Sequence, residues 1–567
     1  MGAGGRVSRS VVATTLALAA LAAVALTMPA GAGAHAERAT FFPDPDAGQF
    51  PEFRTTGEAL VVCRDDTKQL IKKNHGPMRA NQQRLLAKCR YDSIQDAVND
   101  AENGARIMVL PGVYEEQGSR GPAPAGCEDV YERTENGQFA LTYDEHRQCP
   151  NAQNLIAIMG DTDGDRVCDA KCNITIQGIA PSPDDVYISG ERAKLNVIRA
   201  DRADGIILRN LKVEFSDFNN IYVLETNGFR MDRVVSGYSR EYGILSFTSD
   251  HGIYENCETY GNGDSGVYPG SGPDRHGIAD AHGHVYGIII RNCNSHDNNI
   301  GSSGTAGNGT LMHNNRFHHN AIGVTTDSFA GGHPGMHQDA SKWVDNLIYS
   351  NNKNIFSDDR DEYCKQPPED RDPTVVCPTF QVPVGTGMLI AGGNDNIVEG
   401  NYIFDNWRRG TMLHWVPASL RNEPDPAKGF DTSNNNAYVD NCMGIRPASV
   451  KNPDLASCQG TRDANGVDFW WDEEEGQDCN PDLPGCVDTE TVKSNCWSGN
   501  VGPDGGLPTS DPSPVTSLPV CPGVDLGLFK FPNINKLIEL LPCAEWNPQT
   551  NTDPPGCNWF TLPPEPN

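Results

Sequence analysis

Five stretches of this chain align without a gap: Tyr254–Asn262, Ile290–Asn298, Met312–Asn320, Val344–Asn352 and Val398–Asn406. Their first position is apolar or aromatic. The third is Asn256, Asn292, Asn314 and Asn346, with Gly400 as the exception, and the ninth is Asn262, Asn298, Asn320, Asn352 and Asn406. Short apolar runs opened by a glycine alternate with these stretches: Gly243, Gly266, Gly323, Gly387 and Gly410. The glycines recur at 23 residues (Gly243 to Gly266), 22 (Gly301 to Gly323) and 23 (Gly387 to Gly410). Strands of two to five residues, broken by Asn and Gly, suit neither helices nor ordinary hairpins. Asn and Gly tolerate the left-handed backbone of sharp corners. A coil that returns on itself puts each strand about 4.8 Å from its equivalent. A column of asparagines can then hydrogen-bond up the stack. The period therefore predicts an all-β solenoid, a right-handed parallel β-helix.

The pattern weakens outward but persists upstream in Asn173–Gln177, Val186–Ile188, Gly205–Leu208 and Ile221–Leu224, and downstream in Val467–Trp471. A solenoid must cover its open ends, where strand edge and core would face water. Ser93–Val98 reads as a short helix placed for that purpose. The chain divides into a secretory segment (1–36), an N-terminal extension (37–90), the β-helix (91–500), a Pro/Ser/Gly linker (501–520) and a small cysteine-bearing tail (521–567). The tail contains one predicted helix, Ile534–Leu541.

Arg6 and Arg9, the apolar run Val11–Met28 and Ala34-His35-Ala36 form the three parts of a cleavable secretory signal. After its removal no integral membrane segment is expected. The 18 cysteines then imply disulfides; Cys127/Cys149 and Cys364/Cys377 bracket inserts that a bridge could close. The formal charge of -30 repels nucleic acid and anionic lipid, and mildly disfavours a highly anionic polymer as partner.

Tyr91-Asp-Ser-Ile-Gln-Asp-Ala-Val98 followed by Val109-Leu-Pro-Gly-Val-Tyr114 resembles the opening of the pectin-lyase-like superfamily of right-handed parallel β-helices. The likeness spans roughly residues 91–500 and is greatest to secreted, actinobacterial-type β-helix-repeat members. It implies fold more than activity, because the superfamily includes lyases, glycosidases, epimerases and binding proteins. No Asp-Pro-His sequence of the alginate-epimerase kind is present, nor a paired-aspartate set like that of the polygalacturonases.

Extra residues enter after the glycine-led strand in three coils, at 272–286, 330–341 and 417–436, all on one edge. Stacked loops on a rigid rod wall a groove suited to binding groups. The first two carry His276, Asp280, His282 and His284, then His333, His337 and Asp339. Asp327 and His414 occupy the strand position four after their glycines, with Tyr268, Arg275 and Lys342 near in the index. His276, His282, Asp327, His333 and Lys342 are candidate catalytic groups. Histidine would take the C5 proton of a uronic acid while Arg or Lys holds its carboxylate, giving β-elimination. Tyr268, Arg275, His414 and Trp415 are candidate substrate contacts. The alternative for the histidines is a divalent transition metal, with His284, His337 and Asp339 as ligands. Asp161, Asp163, Asp165 and Asp169 alternate as in a calcium loop, though without EF-hand spacing. No organic cofactor is expected. The sequence supports two functions: a lyase acting on a uronic-acid-containing polysaccharide, or a non-catalytic protein binding a cell-surface glycan.

Overall fold

The computed structural model describes residues 38–567, except 138–139, 274, 276, 330–332, 422–424, 456, 481–484, 487–491, 527–528, 548–553 and 567. The secretory segment at 1–36 and His276 lie outside the described residues. The protein is an all-β parallel β-helix. One sheet has eleven parallel strands, and a twenty-stranded sheet supplies the other faces. A typical coil runs Asp250–Glu255, Glu258–Tyr260, then Ser265–Gly270 in the eleven-stranded sheet.

Each bend between the first two strands is made by one left-handed residue: Asn256 (φ 54), Asn292 (55), Asn314 (57), Asp345 (57), Gly400 (64) and Asp440 (55). Gly400 therefore fits the pattern, since glycine adopts that conformation without a Cβ penalty. The next corner carries the asparagine ladder. Side-chain amides donate to the following carbonyl from Asn262 to Asn298, Asn320, Asn351, Asn406 and Asn465, at 2.7, 3.1, 3.0, 3.1 and 3.0 Å. One expected register is off by a residue. Asn351 takes the ladder place assigned to Asn352, and Asp345 takes the bend assigned to Asn346. Asn346 instead joins a second ladder, Asn315–Asn346–Asn401–Asn441–Asn500, at 3.0, 2.9, 3.0 and 2.9 Å. The slip arises because Trp343, not Val344, points inward.

Inside, Tyr254, Ile290, Met312, Trp343, Val398, Tyr438 and Trp497 follow one another in register. All belong to one continuous core. Burying a large apolar side chain contributes about 1.5–3 kcal/mol relative to exposure.

The stack begins at Ala59–Val62, which pairs with Arg106–Val109. Helix Ile94–Asp100 closes this end. Ser93 caps its first turn, buried Glu116 accepts from the Ile94 and Gln95 amides, and Ile94, Ala97 and Val98 enter the core. At the other end Ser510–Asp511 pairs with Phe469–Trp470, and Leu518 joins the core beside Trp497. The tail then folds back: Trp546, Trp559 and Phe560 pack on Leu389, Met412 and Trp470 of the eleven-stranded sheet. All 18 cysteines are paired, including Cys127–Cys149, Cys168–Cys172, Cys257–Cys293 and Cys364–Cys377. Among the described residues no helix is long and apolar enough to cross a membrane.

Residues 38–54 form a strap along the loop-bearing edge. Arg38 pairs with Asp201 and Glu225 (2.9 and 2.7 Å), Asp44 O accepts from Asn227 Nδ2 (2.6 Å), and Arg54 donates to Asn173 (2.8 Å).

Candidate functional site

Alternation along the eleven-stranded sheet turns one row of side chains outward: Arg199, Tyr222, Leu245, Tyr268, Ser303, Thr325, Leu389, Met412 and Trp470. The row is large everywhere except Ser303 and Thr325. All of these side chains are buried, and the hydroxyls of Ser303 and Thr325 leave a notch between the rings and aliphatic chains on either side. The result is a depression two rungs wide. Tyr268 bounds one end, packed with Tyr242, Leu245 and Phe247. Leu389, held under the C-terminal tail, bounds the other.

Two buried carboxyl groups stand at the ends of this floor. Asp264 immediately precedes Ser265–Gly270, and Asp327 ends Ile322–Asp327. Asp264 Oδ1 accepts from Ser265 Oγ (2.6 Å), which lies 2.8 Å from Ser303 Oγ. Asp327 accepts from Thr305 Oγ1 (2.9 Å) and the Phe329 amide (3.0 Å). Burial pushes Asp264 up to about 7 against hydrogen bonds from Ser265 and Tyr242, and the charge of Asp327 adds to the rise. Burial also raises Asp327, opposed by Phe329 and Thr305. One coil before Asp264, whose amide donates to Glu241 O at 3.0 Å, the Glu241 carboxyl is held well above its usual range by burial and by Asp264. The Tyr268 hydroxyl accepts from the Thr305 amide at 3.2 Å.

The expected site residues separate into different places. Tyr268 and Asp327 border the depression. His333 is buried against Phe247, with ring centres 5.8 Å apart, in the row that also holds Asp327. His414 continues that row beyond Ala391. Its Nε2 is buried without a partner, and burial lowers it to about 4. Trp415 offers no face to a sugar: it is buried, its Nε1 donates to Asp431 (2.9 Å), and its ring meets Phe531. Lys342 lies on the twenty-stranded sheet and pairs with Glu399 at 2.6 Å. Arg275 is held by Asp250, with Asp280 3.8 Å away. Both cations expected to hold a uronate are thus paired with the protein's own acids.

His282 is exposed, with Nε2 3.1 Å from Asp46 O of the strap. His284 does not meet His337 and Asp339 in a shared ligand cluster; among the described residues it clusters with His251 and Asp280. His337 and Asp339 are a separate buried pair at 2.8 Å, joined by the Asn394 amide. In the alternating-acid loop, Asp161, Asp163 and Asp165 cluster, but Asp161 already accepts from Gly164 and Arg166 amides and from Arg202 (2.6, 2.9 and 2.7 Å). Asp169 turns to Thr162. The Arg202 guanidinium supplies one positive charge beside this cluster, pairing with Asp161 at 2.7 Å.

Sequence reasoning missed Asp264, Glu241 and His251. Glu241 and Asp264 were accessible, since each stands two positions before its column glycine (Gly243 and Gly266) on consecutive coils. His251 carries no comparable signal.

No family model matches the chain, and no curated protein matches it. Among solved structures it is similar to pectate lyase Pel9A, at 11% identity and a TM-score of 0.33, covering 86% of this chain and 92% of that one. It is similar to a rhamnogalacturonan lyase at 8% identity and a TM-score of 0.32, covering 80% and 86%. It is also similar to the A-module of the Azotobacter vinelandii mannuronan C-5 epimerase AlgE4, at 11% and 0.29, covering 61% and 88%.

Proposed function

We propose that the protein is a carbohydrate-active β-helix protein working outside the cytosol, and that it hydrolyses a glycosidic bond in the depression over Ser303 and Thr325. The observation that carries this reading is that Asp264 and Asp327, at opposite ends of strands two rungs apart, flank the hydroxyls of Ser265, Ser303 and Thr305, with burial raising both carboxyls. A carboxyl so raised keeps its proton at mildly acidic pH and can act as general acid. Asp264 would protonate the leaving glycosidic oxygen. Asp327, as carboxylate, would take a proton from the water that adds to the anomeric carbon. One C–O bond breaks and one forms, and the proton lost by Asp264 is matched by the one gained at Asp327. Ser303, Thr305 and Thr325 suit sugar hydroxyls.

Elimination on a uronic acid is less well supported, because Arg275 and Lys342 are committed to Asp250 and Glu399. Carboxyls lining the cleft also favour a neutral or weakly charged glycan. The test is incubation of the secreted chain with neutral and uronic polysaccharides, reading new reducing ends and ultraviolet-absorbing unsaturated ends separately. Reducing ends alone, abolished in Asp264→Asn, support hydrolysis. Unsaturated ends would restore the lyase reading. Binding without cleavage would leave a glycan-binding protein.

A further inference from the structure

A second constellation, independent of the depression, lies where the N-terminal strap meets the loop at 271–287. His251 stands on strand Asp250–Glu255 and is fully buried. Its Nδ1 is 2.8 Å from Asn227 Oδ1. The orientation of Asn227 is set from its other side, because Nδ2 donates to Asp44 O of the strap at 2.6 Å. Oδ1 is therefore an acceptor, and His251 carries its proton on Nδ1. The other ring nitrogen, Nε2, lies 2.8 Å from Asp280 Oδ2. His284 Nδ1 reaches the same oxygen at 3.1 Å.

Asp280 is oriented just as firmly. Its Oδ1 accepts the amides of His282 and His284, both at 2.8 Å, which leaves Oδ2 turned toward the two imidazoles. Burial works against the charge of this carboxyl, but these amides and the histidines hold it well below its usual range. Two ring nitrogens and a carboxylate oxygen thus converge, all within 4.8 Å of one another. With its proton on Nδ1, His251 can turn the Nε2 lone pair to a metal ion shared with Asp280 and His284.

We propose that His251, Asp280 and His284 bind one divalent transition-metal ion of the zinc class, with Asn227 as the positioning residue that fixes the ligating nitrogen of His251. Imidazole and carboxylate ligands approach zinc at about 2.0–2.2 Å, so the triangle needs only a small rearrangement around a central ion. A ligating histidine that donates its other N–H to a fixed acceptor is the usual outer arrangement. The His284 side chain is 37% exposed, leaving a fourth position open to water. Arg275, 3.8 Å from Asp280 Oδ2, opposes a cation, but its charge is met by Asp250.

The ion would fasten three separate pieces. His251 belongs to the coil, Asp280 and His284 to the loop, and the strap lies over both rings. Phe50 meets His251 and His284 edge-on at 5.2 and 4.8 Å. Gly48 packs so closely that a Cβ there would fall 1.7 Å from Asn227 Oδ1 and 2.5 Å from His251 Nδ1. Metal binding at this point should hold the strap down.

The experiment uses the secreted full chain, stripped with chelator and titrated with zinc alone by calorimetry, with metal content measured after dialysis. One zinc per chain, micromolar or tighter, is expected. Strap cleavage near Phe50 by a dilute protease should slow when zinc is present. His284→Ala, chosen because this side chain is far more exposed than buried His251, should weaken binding by about tenfold or more. The exposed control His319→Ala should leave binding unchanged. No stoichiometric zinc, or zinc binding that survives His284→Ala in a chain of unaltered near-ultraviolet dichroism, overturns the proposal. In the first case a protonated imidazole bridges to Asp280 instead.

Discussion

Asn320 reaches Asn351 twice, through its side-chain amide at 3.0 Å and its main-chain N–H at 3.2 Å, both ending on Asn351 Oδ1. Asn351 in turn donates to Phe317 O and Asn406 Oδ1, each at 3.1 Å. Four buried polar groups thus depend on one side chain. Removing such a partner leaves each group paying its own desolvation.

Asn351→Ala should therefore destabilise the protein by about 3 kcal/mol. Asn352→Ala, which removes the bonds from the Trp407 amide and to Asp405 O at a partly exposed position, should cost less, about 1–2 kcal/mol. Denaturant unfolding of the two variants checks the register: equal losses, or a larger loss at Asn352, would place the ladder on the wrong residue.

Filling the depression should block the glycan without harming the fold. Thr325→Leu extends the row formed by Leu245 and Leu389 across the notch that the threonine side chain leaves. Glycan affinity, measured by calorimetry, is expected to fall by about tenfold or more as polar contacts and volume are lost, a difference of about 1.4 kcal/mol. The thermal midpoint should stay within a few degrees of the parent. Unchanged affinity would move the binding surface elsewhere.

A buried acid cluster near the third loop should make stability fall as pH rises. Burial lifts Asp472 and Asp431 to about 7, and lifts Glu474 well above its range; Glu474 has no hydrogen-bond partner on either oxygen. Asp478 adds to the repulsion on Asp431, while Lys536 and Arg421 oppose it at Asp472 and Asp431. The folded chain thus holds protons that the unfolded chain releases near pH 4. Stability is fully present below that point and is lost as pH climbs toward 7, at a cost on the order of 4 kcal/mol for a group so shifted. Asp472→Asn should raise the melting temperature at pH 8 and change it little at pH 4. The opposite pattern would mean that Asp472 is ionised and paired.

Much of the architecture could be read from residues. The columns beginning at Asn262 and Gly243 expose a period, and a period of 22–23 residues admits few folds. The one slip, Asn352 for Asn351, came from adjacent asparagines that only the inward turn of Trp343 can tell apart. The site was harder to read because it depends on pairings between distant positions. Arg275 and Lys342 look like free cations in one dimension, and only folding brings Asp250 and Glu399 to them. Asp264 and Asp327 lie on coils two rungs apart, at opposite ends of their strands, so no local motif joins them. Trp415 looked like a platform until Asp431 and Phe531 enclosed it.

The proposed hydrolysis requires Asp264 and Asp327 to act as a unit on a glycosidic bond. The most direct measurement compares the rate of reducing-end release by the parent with that of Asp264→Asn, Asp327→Asn and the double variant, on whichever glycan the parent cleaves. Groups that share one step are non-additive, so each single variant should lose about a thousandfold and the double variant little more. Single variants that retain most of the activity, or losses that simply multiply, would contradict the account.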